Sequence, residues 1–265
     1  MSEARVSLVT VTFNSAATLR HFWADWPREA CEWIVVDNCS TDDSVAVAES
    51  LGARVLRLSE NVGFSAANNV GARMATGDVL GFLNPDVTAT RAGVGRLGSI
   101  ALGSSLLVAP QLVNQDGTLQ ENGRGAPYPA RKLAHMFAPA STMNERYVRH
   151  VRSGIEQVVW VMGAALFASR STFENIGGWD SGFFIYYEDS DICLRALQQG
   201  VLTFVDGDVR FVHGWVRETA NGKSPSVWKH EFRSAARFYA KHPHCLIPMG
   251  RRSRALKIAE GVEAR

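Results

Sequence analysis

The stretch Val79-Leu80-Gly81-Phe82-Leu83-Asn84-Pro85-Asp86 decides the fold, because it joins a short apolar run to an abrupt polar end. The five mostly apolar residues are too few for an ordinary helix and indicate a buried strand. Pro85 has no N–H to donate and forces the residue before it out of helical geometry, so the strand must end there. Asp86 therefore follows the carboxyl end of a central strand. Ligands bind at this edge in open α/β sheets, although Pro-Asp is also ordinary turn chemistry.

Three further strand patterns precede this stretch and alternate with helical patterns. Strands are predicted over residues 6–12, 33–36, 54–58 and 79–83, and helices over 18–26, 65–74 and a segment that is capped by Asp42 or Asp43 and runs to Leu51. This alternation predicts an α/β fold with a parallel sheet and helices on both faces. Every strand ends in polar residues, namely Asn14, Asp37 with Asn38, Asn61, and Asp86. Four polar strand ends at one edge of a sheet predict a polar pocket.

The chain after Asp86 has a less regular pattern. It predicts, in order, a weak helix over 91–101, a strand over 106–109 stopped by Pro110, a β-hairpin over 111–120, strands over 157–161 and 165–168, a short helix capped by Ser171, a helix to Gln199, strands over 202–205 and 209–212, and a helix over 227–241. Residues 123–153 contain three prolines and scattered basic residues, which predicts a long, partly mobile loop with one helix.

The composition is typical of a globular protein. The 265 residues, 46% of them hydrophobic and 20% charged, are enough for one large globular domain or two small ones. A net charge of +2 is too small to indicate a nucleic-acid partner. Four cysteines without Cys-x-x-Cys spacing indicate free, buried thiols in a reducing cytoplasm. No signal-peptide pattern is present, and the longest apolar run, 158–168, is far shorter than the roughly 20 residues of a membrane span, so we predict a protein that is not integral to a membrane.

An acidic cluster, Glu188-Asp189-Ser190-Asp191, follows an aromatic run over 183–187. Asp189 stands where a helix N-cap is expected, and Asp191 is spaced for an ion pair with Arg195, so structural roles are open for both. An aromatic wall beside carboxylates also suits a sugar, whose C–H faces pack on rings while its hydroxyl groups need acceptors. Because an apolar wall raises the pKa of a carboxyl group, the cluster is a candidate for general-base catalysis.

His213 follows the strand predicted over 209–212 and is either simply hydrogen-bonded or the metal-ligand partner of Asp86. The match Gly93-x-Gly95-x-x-Gly98 to a dinucleotide fingerprint lacks a strand immediately before it, so it indicates helix packing or a flexible turn. The chain has neither a Gly-x-x-x-x-Gly-Lys-Ser/Thr loop nor a Gly-x-Ser-x-Gly elbow, which argues against a P-loop NTPase and an esterase.

Five ordered motifs resemble one enzyme family. Residues 10–14, 35–42 and 60–69 resemble the family-2 glycosyltransferases of the GT-A fold, and 83–86 followed by 188–195 is similar to their rhamnosyltransferase-like branch. The resemblance extends from about Val6 to His213. It implies a Rossmann-like, mainly parallel sheet flanked by helices, with a smaller mixed-sheet acceptor half. Residues 1–110 would form the nucleotide-sugar half, 111–241 the acceptor and catalytic half, and 242–265 a basic tail.

The resemblance also implies roles for individual residues. It places Asp189 as the base that deprotonates the acceptor hydroxyl group, and Asp86 with His213 as ligands of Mg²⁺ or Mn²⁺. The implied nucleotide-binding residues are Thr12, Asn14, Asp37, Asn38, Asn61, Gly63, Asn68, Asn84 and Asp86. The implied acceptor or sugar contacts are Gly163, Trp179, Asp180, Glu188 and Asp191. Asn84 departs from the commonest Asp-x-Asp pattern, which leaves one fewer negative charge for the metal.

The implied function is inverting transfer of a sugar to a hydroxyl group of a saccharide or lipid-linked acceptor, in bacterial glycan, glycolipid or cell-wall polysaccharide synthesis. The favoured donor is dTDP-rhamnose, with a UDP-sugar second. A cytoplasmic location is implied, with contact to the inner face of the membrane through Arg251, Arg252, Arg254 and Lys257, or else a solvated tail. A sugar nucleotidyltransferase is an alternative, but residues 12–15 lack its glycine- and lysine-rich loop. A non-catalytic nucleotide-sugar-binding protein is another, although it would not need Asp189 and His213 together with Asp86.

Overall fold

The computed structural model of the chain describes residues 4–137, 140–141, 144, 147–214, 225–246, 255–257 and 259. The strands are β1 (Val6–Thr12), β2 (Cys31–Asp37), β3 (Arg54–Arg57), β4 (Val79–Leu83), β5 (Val87–Thr88), β6 (Leu106–Val113), β7 (Gly123–Arg124), β8 (Val148–Arg149), β9 (Ile155–Val158), β10 (Trp160–Val161), β11 (Ala165–Ser169) and β12 (Leu202–His213). The helices are α1 (Ala16–Phe22), α2 (Ser44–Ser50), α3 (Phe64–Met74), α4 (Arg91–Gly103), α5 (Pro129–Phe137), α6 (Arg170–Asn175), α7 (Glu188–Gln198) and α8 (Pro225–Lys241), followed by a 3₁₀ turn (Pro243–Cys245).

The strands form one large mixed sheet and one small sheet. The large sheet has the order β3-β2-β1-β4-β11-β6-β12-β5, and β9 also pairs with β12. β1 is parallel to β2 and β4, β12 is parallel to β6, and β11 lies antiparallel between β4 and β6. The small sheet, β10-β7-β8, is antiparallel. The predicted α/β class with a mainly parallel sheet is thereby confirmed.

Two apolar clusters cover the two faces of the large sheet. One joins α1, α2 and α4 to the sheet and contains Trp23 stacked on Trp33, with ring centroids 4.2 Å apart. The other joins α3, α6, α7 and α8 to the opposite face, where Trp179 meets Phe82 edge-on at 5.4 Å. Complete burial of one such side chain stabilises the fold by roughly 1.5–3 kcal/mol. Helices on both faces were predicted from the strand–helix alternation.

Several predicted element boundaries are wrong where tertiary pairing overrides the local signal. Pro110 does not stop β6, because it pairs at the point where the register of β12 shifts, between Asp206 and Arg210, and its missing N–H breaks no regular ladder. The strands predicted over 202–205 and 209–212 are one strand, β12, that contains this irregularity. The strand predicted over 157–161 is divided between β9 in the large sheet and β10 in the small one.

Two predicted helix caps are also wrong. The cap of α6 is Ser169, whose side chain accepts from the N–H of Thr172, rather than Ser171. The residue before α7 is Tyr187, with φ of +67°, so Asp189 lies inside the first turn of the helix. α1 starts two residues earlier than predicted, because the N–H of Ala16 donates to the carboxylate of Asp42.

The segment 123–153 contains β7, the predicted helix as α5, and β8. Of the predicted basic tail, Arg251, Arg252 and Arg254 lie outside the described residues, whereas Lys257 is half-buried beside the buried Leu256. All four cysteines are free, and two of them, Cys193 and Cys245, are buried. Among the helices of the described ranges, none is both long enough and apolar enough to cross a bilayer.

The glycines of the Gly-x-Gly-x-x-Gly match lie inside α4. A Cβ at Gly93 would lie 2.5 Å from a ring atom of Phe211, and one at Gly98 would lie 2.6 Å from a methyl group of Val6. These glycines allow α4 to approach the sheet closely. The prediction that the match reflects helix packing is confirmed.

Gly81 of β4 offers a test of this packing. A Cβ there would lie 2.6 Å from Phe167 Cε1 and 2.9 Å from Leu8 Cδ2. Because close-packed cores tolerate added atoms poorly, we expect Gly81→Ala to lower the free energy of unfolding by roughly 1–3 kcal/mol in urea titrations. Gly95→Ala is the matched control, since no atom lies within 4 Å of its Cβ, and it should raise stability by about 0.5–1 kcal/mol. Equal effects of both substitutions would contradict this account.

Candidate functional site

The carboxyl ends of β1 and β2 bring Thr12 and Asp37 together. Thr12 Oγ1 donates to Asp37 Oδ1 at 3.1 Å, and the N–H of Ser40 donates to Asp37 Oδ2 at 3.0 Å. Asp37 is only 3% exposed, yet each carboxylate oxygen keeps a lone pair for a further donor. A cavity of about 320 Å³ opens here, lined by Asp37, Cys39, Ser40, Asp42, Asp43, Val45, Ala46, Arg57 and Leu58. Thr12 and Asp37 thus form a site of fixed orientation that can accept hydrogen bonds from a ligand in the cavity.

Three asparagines at the strand ends connect neighbouring loops. Asn14, at φ of +51°, accepts from the N–H of Thr41 at 2.8 Å. Asn38 donates to Asn61 Oδ1 at 2.8 Å and accepts from the N–H of Val62 at 2.9 Å. These hydrogen bonds fix the relative positions of the loops that follow β1, β2 and β3. Direct nucleotide contact by these side chains stays a prediction.

The loop after β3 is fixed against the aromatic run. Gly63 has φ of +85°, and a Cβ on it would lie 2.6 Å from the carbonyl oxygen of Phe184. That carbonyl also accepts from the N–H of Phe64 at 2.7 Å. Asn68 is 1% exposed and donates to Phe64 O at 3.1 Å within its own helix. A nucleotide role for Gly63 and Asn68 stays a prediction as well.

Asp86 and His213 meet at the centre of the same edge. His213 Nε2 lies 3.4 Å from Asp86 Oδ2. On its other side, Nδ1 lies 2.8 Å from Gln120 Oε1, while Gln120 Nε2 donates to the carbonyl oxygen of His213 at 2.7 Å. Since the Gln120 amide nitrogen is used as a donor, its oxygen accepts from Nδ1–H, so Nε2 is the ring nitrogen of His213 that can bind a cation next to Asp86. Gln120 was missed from the sequence, where it only ended a predicted hairpin.

Asn84 completes a set of atoms that suits a divalent cation. Its side-chain oxygen is buried and has no hydrogen-bond partner, two residues before Asp86 in the same turn. A carboxylate oxygen, an imidazole nitrogen and an amide oxygen are all ligands for Mg²⁺ or Mn²⁺. In the part of the chain that the structure describes, no cluster of three or more His, Cys, Asp or Glu side chains forms a complete metal cage. The residues present therefore fit a cation that takes further ligands from a bound phosphate.

Asp189 is joined to this edge through Gly163. The N–H of Gly163 donates to Asp189 Oδ2 at 3.2 Å, and the N–H of Ser190 donates to Oδ1 at 2.7 Å. The next residue, Ala164, accepts at 2.9 Å from the N–H of Asn84, so the Asp189 carboxylate lies close to the end of β4. Burial raises the pKa of Asp189, although the Ser190 N–H and the charge of Lys132 partly oppose this rise.

Glu188 and Lys132 share the pocket of Asp189. Glu188 is 7% exposed and its Oε2 has no hydrogen-bond partner, and burial with the nearby charge of Asp189 raises its pKa. Lys132 on α5 holds its Nζ 3.5 Å from the ring centroid of Tyr187, and burial lowers its pKa to about 8. Lys132 was hidden in the predicted loop over 123–153. Two acids that hold protons strongly and one lysine that releases its proton readily form an acid–base pocket.

Asp191 instead belongs to a buried ionic network. It is fully buried and accepts from Arg195 at 2.7 Å, from Lys241 at 2.8 Å and from His242 Nε2 at 2.8 Å. Burial alone would raise the pKa of Asp191, but the His242 hydrogen bond and the charges of Arg195 and Lys241 lower it to about 2. The ion pair with Arg195 is confirmed. An acceptor contact by Asp191 stays a prediction, for a carboxylate that is fully buried and already accepts from three side chains.

Of the two other expected sugar contacts, Asp180 shares Lys241 with Asp191 and Trp179 lies in the apolar core. Asp180 accepts from Lys241 at 2.6 Å and from Arg237 at 3.0 Å, which fastens α8 to the segment before α7. Trp179 is 1% exposed and packs into the core. Their positions indicate structural support for the site rather than direct contact with a sugar in this arrangement.

Two family models match the chain. The model described as "Glycosyl transferase family 2" matches residues 7–129, and the one described as "Glycosyl transferase family group 2" matches residues 124–243. Together they cover the large sheet, the Asp86–His213 pair and the pocket of Asp189.

Curated relatives are similar at low identity. The low-salt glycan biosynthesis hexosyltransferase Agl10 of Haloferax volcanii is 23% identical over 74% of this chain, which spans only 62% of that relative's length. The N-acetylglucosaminyl-diphospho-decaprenol L-rhamnosyltransferase of Mycobacterium tuberculosis is 25% identical over 83% of this chain and 78% of its own length. The dTDP-rhamnosyl transferase RfbF of Shigella flexneri is 23% identical over 79% of this chain and 69% of its own length.

Solved structures share the fold. GalNAc-T7 with UDP, GalNAc and Mn²⁺ superposes with a TM-score of 0.64 at 19% identity, over 98% of this chain and 55% of that one. The mannosyltransferase PcManGT of Pyrobaculum calidifontis, in complex with GDP-Man and Mn²⁺, has a TM-score of 0.59 at 17% identity, over 100% of this chain and 77% of that one. The architecture is therefore the GT-A fold.

The buried network predicts a large stability difference between two aspartates. Asp191→Asn leaves Arg195 and Lys241 without their buried counter-charge, so we expect a loss of roughly 3 kcal/mol in urea titrations. Asp78→Asn is the control, because its ion pair with Arg5 is exposed, and it should cost under about 1 kcal/mol.

The pH dependence of the same variant gives a second readout. The contribution of Asp191 to stability is present above the ordinary aspartate pKa of about 4 and is lost as pH falls toward its folded pKa of about 2. The stability of Asp191→Asn should therefore change less than that of the wild type across this window. Parallel curves for both proteins would contradict the assignment.

Proposed function

Because the chain belongs to glycosyltransferase family 2, we propose that it transfers a sugar from a nucleoside diphosphate to a hydroxyl group of an acceptor. One observation supports this above the others. The Asp86–His213 pair and the Gly163–Asp189 pair meet at one edge of the large sheet, the edge that also carries Asp37. This edge therefore carries, side by side, a candidate site for the nucleobase, a candidate site for the diphosphate and a candidate base for the acceptor hydroxyl group.

Asp37 is the proposed recognition element for the nucleobase. Thr12 and the N–H of Ser40 hold its carboxylate in one orientation, beside the cavity of about 320 Å³. A carboxylate of this kind accepts from the N3–H of a pyrimidine, which favours a thymidine or uridine diphosphate.

Asp86 and His213, with the orphan oxygen of Asn84, are the proposed ligands of Mg²⁺ or Mn²⁺. When bound, such a cation supplies positive charge that stabilises the departing diphosphate. Gln120 serves this role indirectly, since it fixes the ring of His213 with Nε2 directed toward Asp86.

Asp189 is the proposed base. The acceptor oxygen attacks the anomeric carbon on the face opposite the diphosphate, the bond from that carbon to the diphosphate oxygen breaks, and Asp189 takes the hydroxyl proton. Its raised pKa makes Asp189 a stronger base than an exposed aspartate, provided that it is ionised. The charge of Lys132 favours that ionised form, whereas the buried Glu188 keeps its own proton.

For the donor we propose dTDP-rhamnose first and a UDP-sugar second, because two of the similar proteins are named as rhamnosyltransferases. For the acceptor we propose a saccharide or lipid-linked saccharide. The name of the mycobacterial relative, which includes a diphospho-decaprenol group, supports a lipid-linked one.

Asp189→Asn tests the base. We expect turnover to fall by at least about 100-fold, because general-base catalysis commonly contributes 10²–10⁴, while nucleotide affinity changes by no more than about threefold. Turnover is measured as release of dTDP or UDP from the sugar nucleotide, and affinity by titration calorimetry. Asp78→Asn is the matched control, since it makes the same change at an exposed aspartate beside the opposite end of β4. Wild-type turnover in Asp189→Asn, or an equal loss in Asp78→Asn, would contradict the assignment.

Asp86→Ala tests the cation site. We expect the variant to bind dTDP or UDP equally with and without Mn²⁺, whereas Mn²⁺ should tighten binding to the wild type by at least about tenfold. Asp78→Ala is the control, because Asp78 lies beside the opposite end of β4 and forms an exposed ion pair with Arg5. If Mn²⁺ strengthens nucleotide binding to Asp86→Ala as much as to the wild type, Asp86 is only a turn residue.

A further inference from the structure

Positive charge is concentrated in one segment of the chain. Residues 123–153 contain six Lys or Arg and one Glu, a net charge of +5, although the whole chain carries only +2. The remainder is therefore net negative. An excess of this kind in one segment indicates a surface that meets a negatively charged group.

Part of this charge lines a cleft of about 480 Å³ on the outside of the large sheet. We name it the basic cleft, and its lining residues are Gly117, Thr118, Leu119, His150, Arg152 and Arg210. Three separate parts of the chain supply them: the turn after β6, the segment after β8, and β12. The side chains of His150, Arg152 and Arg210 are all exposed.

The acids around the basic cleft already have hydrogen-bond or ion-pair partners, and one of these partners, Thr118, lines the cleft itself. Asp116 accepts from the N–H of Thr118 at 2.9 Å, inside its own turn. Asp208 lies 3.1 Å from Arg96 and accepts from the N–H of Gly154 at 3.0 Å. Glu121 pairs with Arg124 at 3.1 Å.

Among the described residues, the guanidinium groups of the cleft have no carboxylate partner. Across the described ranges, no carboxylate lies within 4 Å of Arg152 or Arg210. Arg210 Nη2 donates to the carbonyl oxygen of Arg152 at 3.3 Å, which draws the two residues together. Two arginines that line one cleft suit a group with several anionic oxygens, because a guanidinium group has five N–H donors, of which Arg210 uses one on Arg152.

The basic cleft lies next to the proposed reaction centre. Its residue Leu119 precedes Gln120, which bonds to the ring of His213. Arg210 precedes His213 by three residues on β12, a distance of roughly 10 Å along a strand. Residues three apart on a strand project from opposite faces, so the cleft lies near the His213 end of β12 but on its other side. An acceptor bound in the cleft would therefore extend across this edge of the sheet to bring its hydroxyl group to Asp189 and Asp86.

We propose that the basic cleft binds a phosphate or diphosphate group carried by the acceptor side of the reaction, with Arg152 and Arg210 as its principal donors. The inference rests on the proposed function, because it assigns to that function the chemistry of the second substrate. Two sources share this chemistry: a diphosphate within the acceptor molecule, and the phosphate headgroups of an anionic membrane that holds the acceptor.

Titration of the whole chain with inorganic pyrophosphate in EDTA tests the proposal without a divalent cation. We expect the double variant Arg152→Ala/Arg210→Ala to bind pyrophosphate at least about tenfold more weakly than the wild type, since each arginine loses charge-assisted hydrogen bonds. The affinity for dTDP or UDP with Mn²⁺ should stay within about twofold, because the donor cavity lies at the other end of the edge.

Arg20→Ala/Arg73→Ala is the matched control, since it removes the same charge from exposed positions on α1 and α3. It should leave pyrophosphate affinity unchanged. Thermal unfolding checks that each variant is folded, and Arg152→Ala alone replaces the double variant if that one is not. Failure of the wild type to bind pyrophosphate, or equal binding by the cleft variant, overturns the proposal.

Two further ligands distinguish the sources. Geranyl diphosphate carries the diphosphate without a membrane, and flotation with phosphatidylglycerol vesicles, against pure phosphatidylcholine, presents headgroups without an acceptor. If geranyl diphosphate binds the wild type but not the cleft variant, the site binds a diphosphate of the acceptor. If phosphatidylglycerol vesicles bind the wild type but not the cleft variant, the site binds membrane headgroups. If neither ligand binds the wild type, the proposal is overturned. If the wild type binds pyrophosphate but no nucleoside diphosphate with Mn²⁺, the proposed function fails while the cleft stands.

Discussion

The backbone hydrogen bond from Asn84 to Ala164 is the contact on which the arrangement of the site depends. β11 runs antiparallel to β4, so its first residue lies opposite the last residue of β4, at Ala165 and Leu83. A parallel strand in this place would begin at the far edge of the sheet. The reversed direction of β11 therefore carries Gly163 to the polar edge, and Gly163 in turn holds the carboxylate of Asp189. One antiparallel strand in a mainly parallel sheet joins the two halves of the site.

The first turn of α7 shows how surroundings divide the work among similar side chains. Asp189 and Asp191 are two residues apart, yet burial raises the pKa of the first, whereas three positively charged or donating partners lower the pKa of the second. Asp189 meets backbone N–H groups and, farther away, the charge of Lys132. A carboxylate can act as a base only if its proton affinity is high, and it can hold helices together only if it stays ionised. α7 therefore carries both a candidate base, Asp189, and a buried ion-pairing residue, Asp191.

The sequence predicted the parts of the fold that depend on local pattern. β1 and β4 were predicted at their observed bounds, because the alternating, β-branched residues of β1 and the short apolar run of β4 each stop at a clear polar end. Pro110 and β12 were misjudged, since the effect of a proline in a strand depends on its neighbour, and the irregularity of β12 lies about 100 residues away in the chain. Asp86 and His213 could be predicted as a pair from residue chemistry. Gln120 and Lys132 could not, because only the folded chain brings them to His213 and Tyr187.

The contact between Gly63 and Phe184 has a consequence for conformational entropy. The carbonyl oxygen of Phe184 fills the space where a side chain on Gly63 would lie, and it accepts the N–H of Phe64. The turn after β3 and the aromatic run before α7 are thus joined through their main chains, whatever side chains surround them. A ligand that orders one of them orders the other, and the loss of backbone freedom, about 1–2 kcal/mol for each residue fixed, is incurred once for both. The second ligand then meets a surface that has already lost its freedom, so the binding of either ligand strengthens the binding of the other.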